Sequence, residues 1–133
     1  MIEITGIDHI VLRTTQLDVM LEFYCQVLGC NVERQSSPEV GLTQLRAGNA
    51  MIDLVTVDSS LGRLGGAAPA STGHNLDHFC LQINSLSEAQ ISAHLQSHGI
   101  KPVEFAARYG ALGQRRTVYI KDPDGNRVEL VSA

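Results

Sequence analysis

Ile7-Asp8-His9-Ile10-Val11-Leu12 and Leu76-Asp77-His78-Phe79-Cys80-Leu81 are two versions of one stretch, offset by 69 positions, and they decide the fold. Reading outward from them, Leu17 matches Leu86 at the same offset, Gly29 matches Gly99, and Val32-Glu33 matches Val103-Glu104. Further on, Gly48-Asn49-Ala50-Met51-Ile52-Asp53-Leu54-Val55 resembles Gly125-Asn126-Arg127-Val128-Glu129-Leu130-Val131 with one residue deleted. The order is kept while the offset drifts slowly. A period of about half the chain describes a duplicated module, not the 20–50-residue repeat of a solenoid.

Each copy reads as strand, helix, then three strands. Residues 5–13 alternate between apolar and polar and predict a strand. Met20, Phe23, Tyr24, Val27 and Leu28 recur at helical spacing from about Asp18, a candidate N-cap, to Gly29, a candidate stop. Segments 30–35, 41–47 and 50–57 then read as a meander. In the second copy, 76–83 is a strand, Ser87 with Gln90 makes a capping box, Ile91 and Leu95 face a core, and Gly99 ends the helix. Strands are expected near 102–107, 115–121 and 126–132, the last two joined by the turn Asp122-Pro123-Asp124-Gly125-Asn126. The result is an α+β domain over 1–133: module 1 at about 5–57, module 2 at about 76–132, and between them a Gly-, Ala-, Ser- and Pro-rich linker or mobile loop, 58–75. Gly62, Gly65 and Gly66 in that linker lack the Lys-Ser/Thr and the strand–loop–helix context of a phosphate loop.

Composition narrows the function. The chain has 133 residues, 44% hydrophobic and 18% charged, and a net charge of −4. That acidic balance disfavours nucleic acid or an anionic membrane as partner, and no apolar run approaches a membrane span. Met1-Ile2-Glu3-Ile4 lacks the basic flank and apolar stretch of a signal peptide, which predicts a cytoplasmic protein. Three cysteines at 25, 30 and 80, with no CxxC pair, read as reduced packing residues.

Strand alternation gives the repeat its chemistry. His9, Val11 and Arg13 share a face opposite Ile10 and Leu12; His78, Cys80 and Gln82 share a face opposite Phe79, Leu81 and Ile83. Asp53 opposes Ile52 and Leu54, and Glu129 opposes Val128 and Leu130. Each module thus offers an apolar face for its helix and, on the other face, one imidazole and one carboxylate at matched positions. A pseudo-two-fold axis would bring the four together if the two sheets face each other. Any one of these side chains alone would read as a solvated strand residue; the matched pairing argues for a site. Two histidines and two carboxylates suit Zn, Ni, Co, Mn or Fe(II), and two negative charges balance a divalent ion. Such a set leaves two octahedral positions for a substrate with two adjacent oxygens, with Asp53 or Glu129 as a proton-transfer base. Arg13, Gln82, Arg116 and Tyr119 are the candidate substrate-side residues. Arg115 and Arg116 are candidates to bind an anionic substrate group; they are adjacent, so alternation sends them to opposite faces. His94 and His98 lie four apart on the second helix, but Leu95 stands where HExxH needs Glu, so they read as a surface pair.

The paired modules, the Ile7-Asp8-His9-Ile10 and Leu76-Asp77-His78-Phe79 strand starts, Phe23-Tyr24 with Leu28-Gly29, and Asp122-Pro123-Asp124-Gly125-Asn126 with Glu129-Leu130 resemble the vicinal oxygen chelate superfamily over nearly the whole chain. That group includes glyoxalase I, fosfomycin- and bleomycin-resistance proteins, methylmalonyl-CoA epimerase and extradiol dioxygenases. The resemblance implies two pseudo-symmetric βαβββ modules forming a curved mixed sheet around a metal-site cavity, a small-molecule substrate, and often a homodimer. It implies His9, His78 and Glu129 as metal ligands. Position 53, usually Glu or Gln in the glyoxalase and epimerase branches, is Asp here, one methylene shorter. Either Asp53 completes a four-ligand set, directly or through water, and glyoxalase-like lyase or isomerase chemistry follows, or three ligands form the facial triad of an Fe(II) ring-cleaving dioxygenase. A third possibility is a non-catalytic resistance protein that sequesters its ligand, a branch that usually lacks the metal ligands present here.

Overall fold

Each half of the repeat folds into a four-stranded mixed sheet with a helix on one face, in a computed structural model that describes all residues, Met1–Ala133. The elements are β1 (His9–Thr14), α1 (Leu17–Glu22), β2 (Asn31–Gln35), β3 (Leu42–Ala47), β4 (Ala50–Thr56), β5 (His78–Ile83), α2 (Glu88–Ser97), β6 (Ala106–Gly110), β7 (Gly113–Lys121) and β8 (Arg127–Ser132). The chain divides into two compact units, Met1–Ala70 and Ser71–Ala133. Strand order is β1-β4-β3-β2 in the first and β5-β8-β7-β6 in the second. In both, the first strand runs parallel to the last and the rest pair antiparallel. Two similar βαβββ modules give an α+β protein.

In the first unit, Leu12, Ile52, Leu54 and Leu45 are buried on one sheet face, and the helix buries Met20, Phe23, Tyr24 and Val27. Helix α1 runs directly into a π-helical turn, Phe23–Val27, where the Leu28 amide donates to the Phe23 carbonyl. Widening the helix by one residue brings neighbouring Phe23 and Tyr24 into the core together, with their rings edge-on at 5.0 Å. In the second unit, Val118, Ile120, Val128 and Leu130 are buried on the corresponding face, as are Ile91 and Leu95 of α2. The expected capping box is present: Ser87 Oγ accepts from the Gln90 amide and Gln90 Oε1 from the Ser87 amide. Asp122 organises the β7–β8 turn, its Oδ1 accepting from the amides of Asp124 and Asn126 at 2.9 Å each. Gly125 supplies the positive φ of 82°.

Several details depart from the sequence reading, beginning with the first strand, expected over 5–13 and found at His9–Thr14. Gln16, not Asp18, is the N-cap of α1, and Asp18 lies in the first turn, where a carboxylate complements the helix dipole. Strand β6 starts at Ala106 and extends to Gly110, because the pairing of Ala106 with Thr117 through Gly110 with Gly113 makes a tight hairpin. The linker, expected to be mobile, is in its first half a packed part of the first unit. A 3-10 turn, Gly62–Gly65, lies so close to β4 that a Cβ on Gly62 would fall 1.8 Å from the Thr56 carbonyl oxygen. Arg13 gathers the linker further by donating to the carbonyls of Gly62, Gly66 and Ala67.

Leu95 is fully buried, so Leu95→Ala is expected to destabilise the protein by about 3 kcal/mol. Ser87→Ala removes only a cap, at about 1 kcal/mol. Urea unfolding followed by circular dichroism checks both values and their order.

Candidate functional site

Register decides which side chains share a face. In the first unit Val11 of β1 pairs with Asp53 of β4, and His9 lies two residues before Val11, on the same face. In the second, Cys80 of β5 pairs with Glu129 of β8, and His78 lies two residues before Cys80. The two copies therefore hold an imidazole and a carboxylate in the same relation. The third strand supplies the carboxylate's other neighbour: Gln44 beside Asp53 and Tyr119 beside Glu129.

In the first unit, His9 is exposed and its Nδ1 lies 2.6 Å from Asp8 Oδ1. The hydrogen bond to Asp8, with lesser help from the charge of Asp53, raises the His9 pKa above its ordinary value against a smaller opposing effect of desolvation. Asp53 is only 3% exposed. Its Oδ2 accepts from Gln44 Nε2 at 3.3 Å, and its Oδ1 is buried without a partner. An unsatisfied buried carboxylate oxygen is costly, and a cation is one way to satisfy it. Arg13 shares the face but is committed to the linker carbonyls, which removes it from the substrate-side candidates.

In the second unit the imidazole and carboxylate meet. His78 Nε2 is 3.2 Å from Glu129 Oε2, while Nδ1 is 2.7 Å from Asp77 Oδ2. When Nδ1–H donates to Asp77, the neutral ring presents its Nε2 lone pair beside the carboxylate, the tautomer a metal ligand needs. The hydrogen bond with His78, then the Arg127 charge, holds the Asp77 carboxyl below its ordinary pKa. Tyr119 Oη is 3.3 Å from His78 Nε2, and the Arg108 and Arg127 guanidinium carbons each lie 4.6 Å from its ring centroid. Burial, then the Glu129 charge, raises the Tyr119 pKa. The same two causes push Cys80 up to about 11, so its thiol stays protonated and is no nucleophile at neutral pH.

Of the expected site residues, the structure brings His78 to Glu129 and places Asp53 within the electrostatic reach of His9. It gathers no group of three or more His, Cys, Asp or Glu side chains close enough to hold a metal ion. Gln82 is exposed and lines a cavity on the Glu129 face, and Arg115 lines it as well. Arg116 does not: alternation turns it to the helix side, where its Nε donates to Glu88 Oε1 of α2 at 2.7 Å. The His94 and His98 rings lie 4.9 Å apart on the exposed side of α2. Sequence reasoning assigned no role to Asp8, Asp77 or Gln44. The signal for the first two was in the repeat, since an aspartate immediately precedes the histidine in both copies.

A neutral imidazole binds metal and an imidazolium does not. Because His9 is raised above 6.5, its charged form favours the fold at low pH, and that contribution fades as pH rises through the raised value. Asp8→Asn removes the largest raising influence. Nitrogen-15 NMR titration of metal-free protein is expected to show a lower His9 midpoint in this variant; an unchanged midpoint would remove Asp8 as the cause.

Comparison with known proteins fits this geometry. Residues 6–130 match the family model described as the Glyoxalase/Bleomycin resistance protein/Dioxygenase superfamily. The chain is 31% identical over 133 residues to the glyoxalase domain-containing protein RDO1 of Mycosarcoma maydis, covering 98% of this chain and 70% of that protein. It is 29% identical over 129 residues to a catechol-2,3-dioxygenase of Bacillus subtilis, covering 96% of this chain but 41% of that protein. Among solved structures, an integron cassette protein from the mobile metagenome of V. cholerae superposes with a TM-score of 0.74 at 25% identity, covering 99% of this chain and 98% of the other. The chain belongs to the Glyoxalase/Bleomycin resistance protein/Dioxygenase superfamily.

Proposed function

We propose that this protein is a divalent-metal-dependent enzyme acting on a small substrate through two adjacent oxygens. The ligands in this reading are His9, His78 and Glu129, with Asp53 as a fourth ligand or the proton-transfer base. The observation that carries it is the donor chemistry on matched faces: two imidazoles, each with its Nδ1 on an aspartate, and two carboxylates, one with a buried oxygen lacking a partner. When bound, a divalent ion would act as a Lewis acid on the substrate oxygens. The chain's own groups do the rest. Asp8 and Asp77 orient the imidazoles. Gln44 holds Asp53 by one oxygen, leaving the other to take a proton in a lyase or isomerase reaction of the glyoxalase kind. Tyr119, with two guanidinium groups against its ring, offers its hydroxyl beside His78.

A second reading is favoured by the similarity to a catechol-2,3-dioxygenase. Three ligands, His9, His78 and Glu129, would then hold Fe(II), and Asp53 would have no part in the chemistry. The two readings separate at one residue. Under the first, Asp53→Ala lowers activity by roughly 10²–10⁴-fold, the range of a lost general base; under the second it leaves metal content and turnover nearly unchanged.

Elemental analysis of protein purified without chelator tests the shared premise. Wild type is expected to retain close to one equivalent of a divalent metal per site, and His78→Ala to lose most of it. Equal retention by the two proteins would falsify the ligand assignment.

A further inference from the structure

A cavity of about 140 Å³ opens on the Glu129 face of the second unit. Gln82, Thr117, Glu129, Arg108 and Arg115 line it, together with the β6–β7 turn from Tyr109 to Gly113. Arg108 and Arg115 are directly opposite one another on β6 and β7. Like charges across an antiparallel pair are unfavourable, and neither guanidinium is ion-paired to a carboxylate, with Glu129 the one acidic group among the residues lining the cavity. Arg46, Arg116 and Arg127, by contrast, pair with Glu33, Glu88 and Asp77.

Arg108 is also held in place without being neutralised. Its Nη1 donates to the Thr117 carbonyl at 3.0 Å and to Thr117 Oγ1 at 2.8 Å, and its guanidinium lies against Tyr119. A fixed fork of donors beside a second guanidinium is the arrangement that planar carboxylates take in bidentate fashion. The cavity volume is well below the roughly 300–1,000 Å³ of a pocket enclosing a drug-sized molecule, so it suits one end of a small molecule.

We propose that Arg108 and Arg115 form the anion-binding end of the substrate site, so that the substrate carries a carboxylate group in addition to its adjacent oxygens. This rests on the reading above of the Glu129 face as the substrate side. Of the two adjacent arginines, Arg116 is occupied by Glu88, which leaves Arg115 for the anion.

The test uses metal-free full-length protein at low ionic strength, with amide chemical shifts as the readout and propionate, propionamide and inorganic phosphate as probes. Propionate is expected to shift the amides of 108–117 saturably, and propionamide to leave them in place. Arg115→Gln, a change at an exposed position, is expected to weaken propionate about tenfold or more, the loss of one charged hydrogen-bonding partner. Arg115→Lys should recover part of that loss. The inference is overturned if propionate does not bind wild type, if propionamide shifts the same amides equally, if Arg115→Gln binds propionate as tightly as wild type, or if phosphate is preferred to propionate. The metal is absent throughout, so failure here leaves the ligand assignment standing, and failure of the elemental analysis leaves this result standing.

Discussion

The pairing of the first strand with the last in each module is the constraint on which the site depends. β1 lies parallel to β4 and β5 parallel to β8. Leu12, Ile52 and Leu54 of one pair and Val128 and Leu130 of the other are buried on the helix side, and that burial locks the register. A slip by one residue would turn Asp53 or Glu129 toward the helix and Leu54 or Leu130 toward the open face. The apolar alternation thus fixes the chemistry indirectly: stabilising one face leaves the other free to carry imidazole and carboxylate side by side. The Asp122 turn reinforces this in the second unit, since three hydrogen bonds to one carboxylate define where β8 starts.

Electrostatics then separates two otherwise similar half-sites. Each histidine is followed on its own strand by a residue opposite a carboxylate and preceded by an aspartate that binds Nδ1. The neighbour of the carboxylate differs. Gln44 is a neutral donor that leaves one Asp53 oxygen unsatisfied and buried. Tyr119 is aromatic and attracts two guanidinium groups to its ring, bringing positive charge to the Glu129 side. The first half-site therefore holds a buried carboxylate with an unpartnered oxygen, and the second is edged with cations.

Much of this was legible in the sequence because the repeat and the period-two alternation report on backbone geometry directly. The succession of strand, helix and three strands in each copy, the helix ends at Gly29 and Gly99, the Ser87 capping box and the faces of His9, His78, Asp53 and Glu129 all follow from local pattern. What was not legible depended on tertiary partners. Arg115 and Arg116 are indistinguishable by type, and only the position of Glu88 on α2 shows which one is spent. The π-helical turn at Phe23–Val27 leaves no mark in apolar spacing, since it merely brings neighbouring aromatics inward. The linker's composition suggested mobility, yet glycines also permit close approach, as Gly62 does beside Thr56. The roles of Asp8 and Asp77 were missed because an exposed aspartate before a strand reads as solvated until the imidazole beside it is located.

Arg13 and Gln82 occupy the same place in the two copies, and their fates diverge. Arg13 draws the connecting chain onto the first module through three carbonyls; Gln82 touches no such segment and borders an open cavity. The first copy kept a joinery role where the polypeptide leaves the module. The second copy places its residue at the rim of the cavity instead. One matched position thus serves chain connection in the first copy and the cavity wall in the second, so a change at Arg13 is felt through the linker and a change at Gln82 at the cavity.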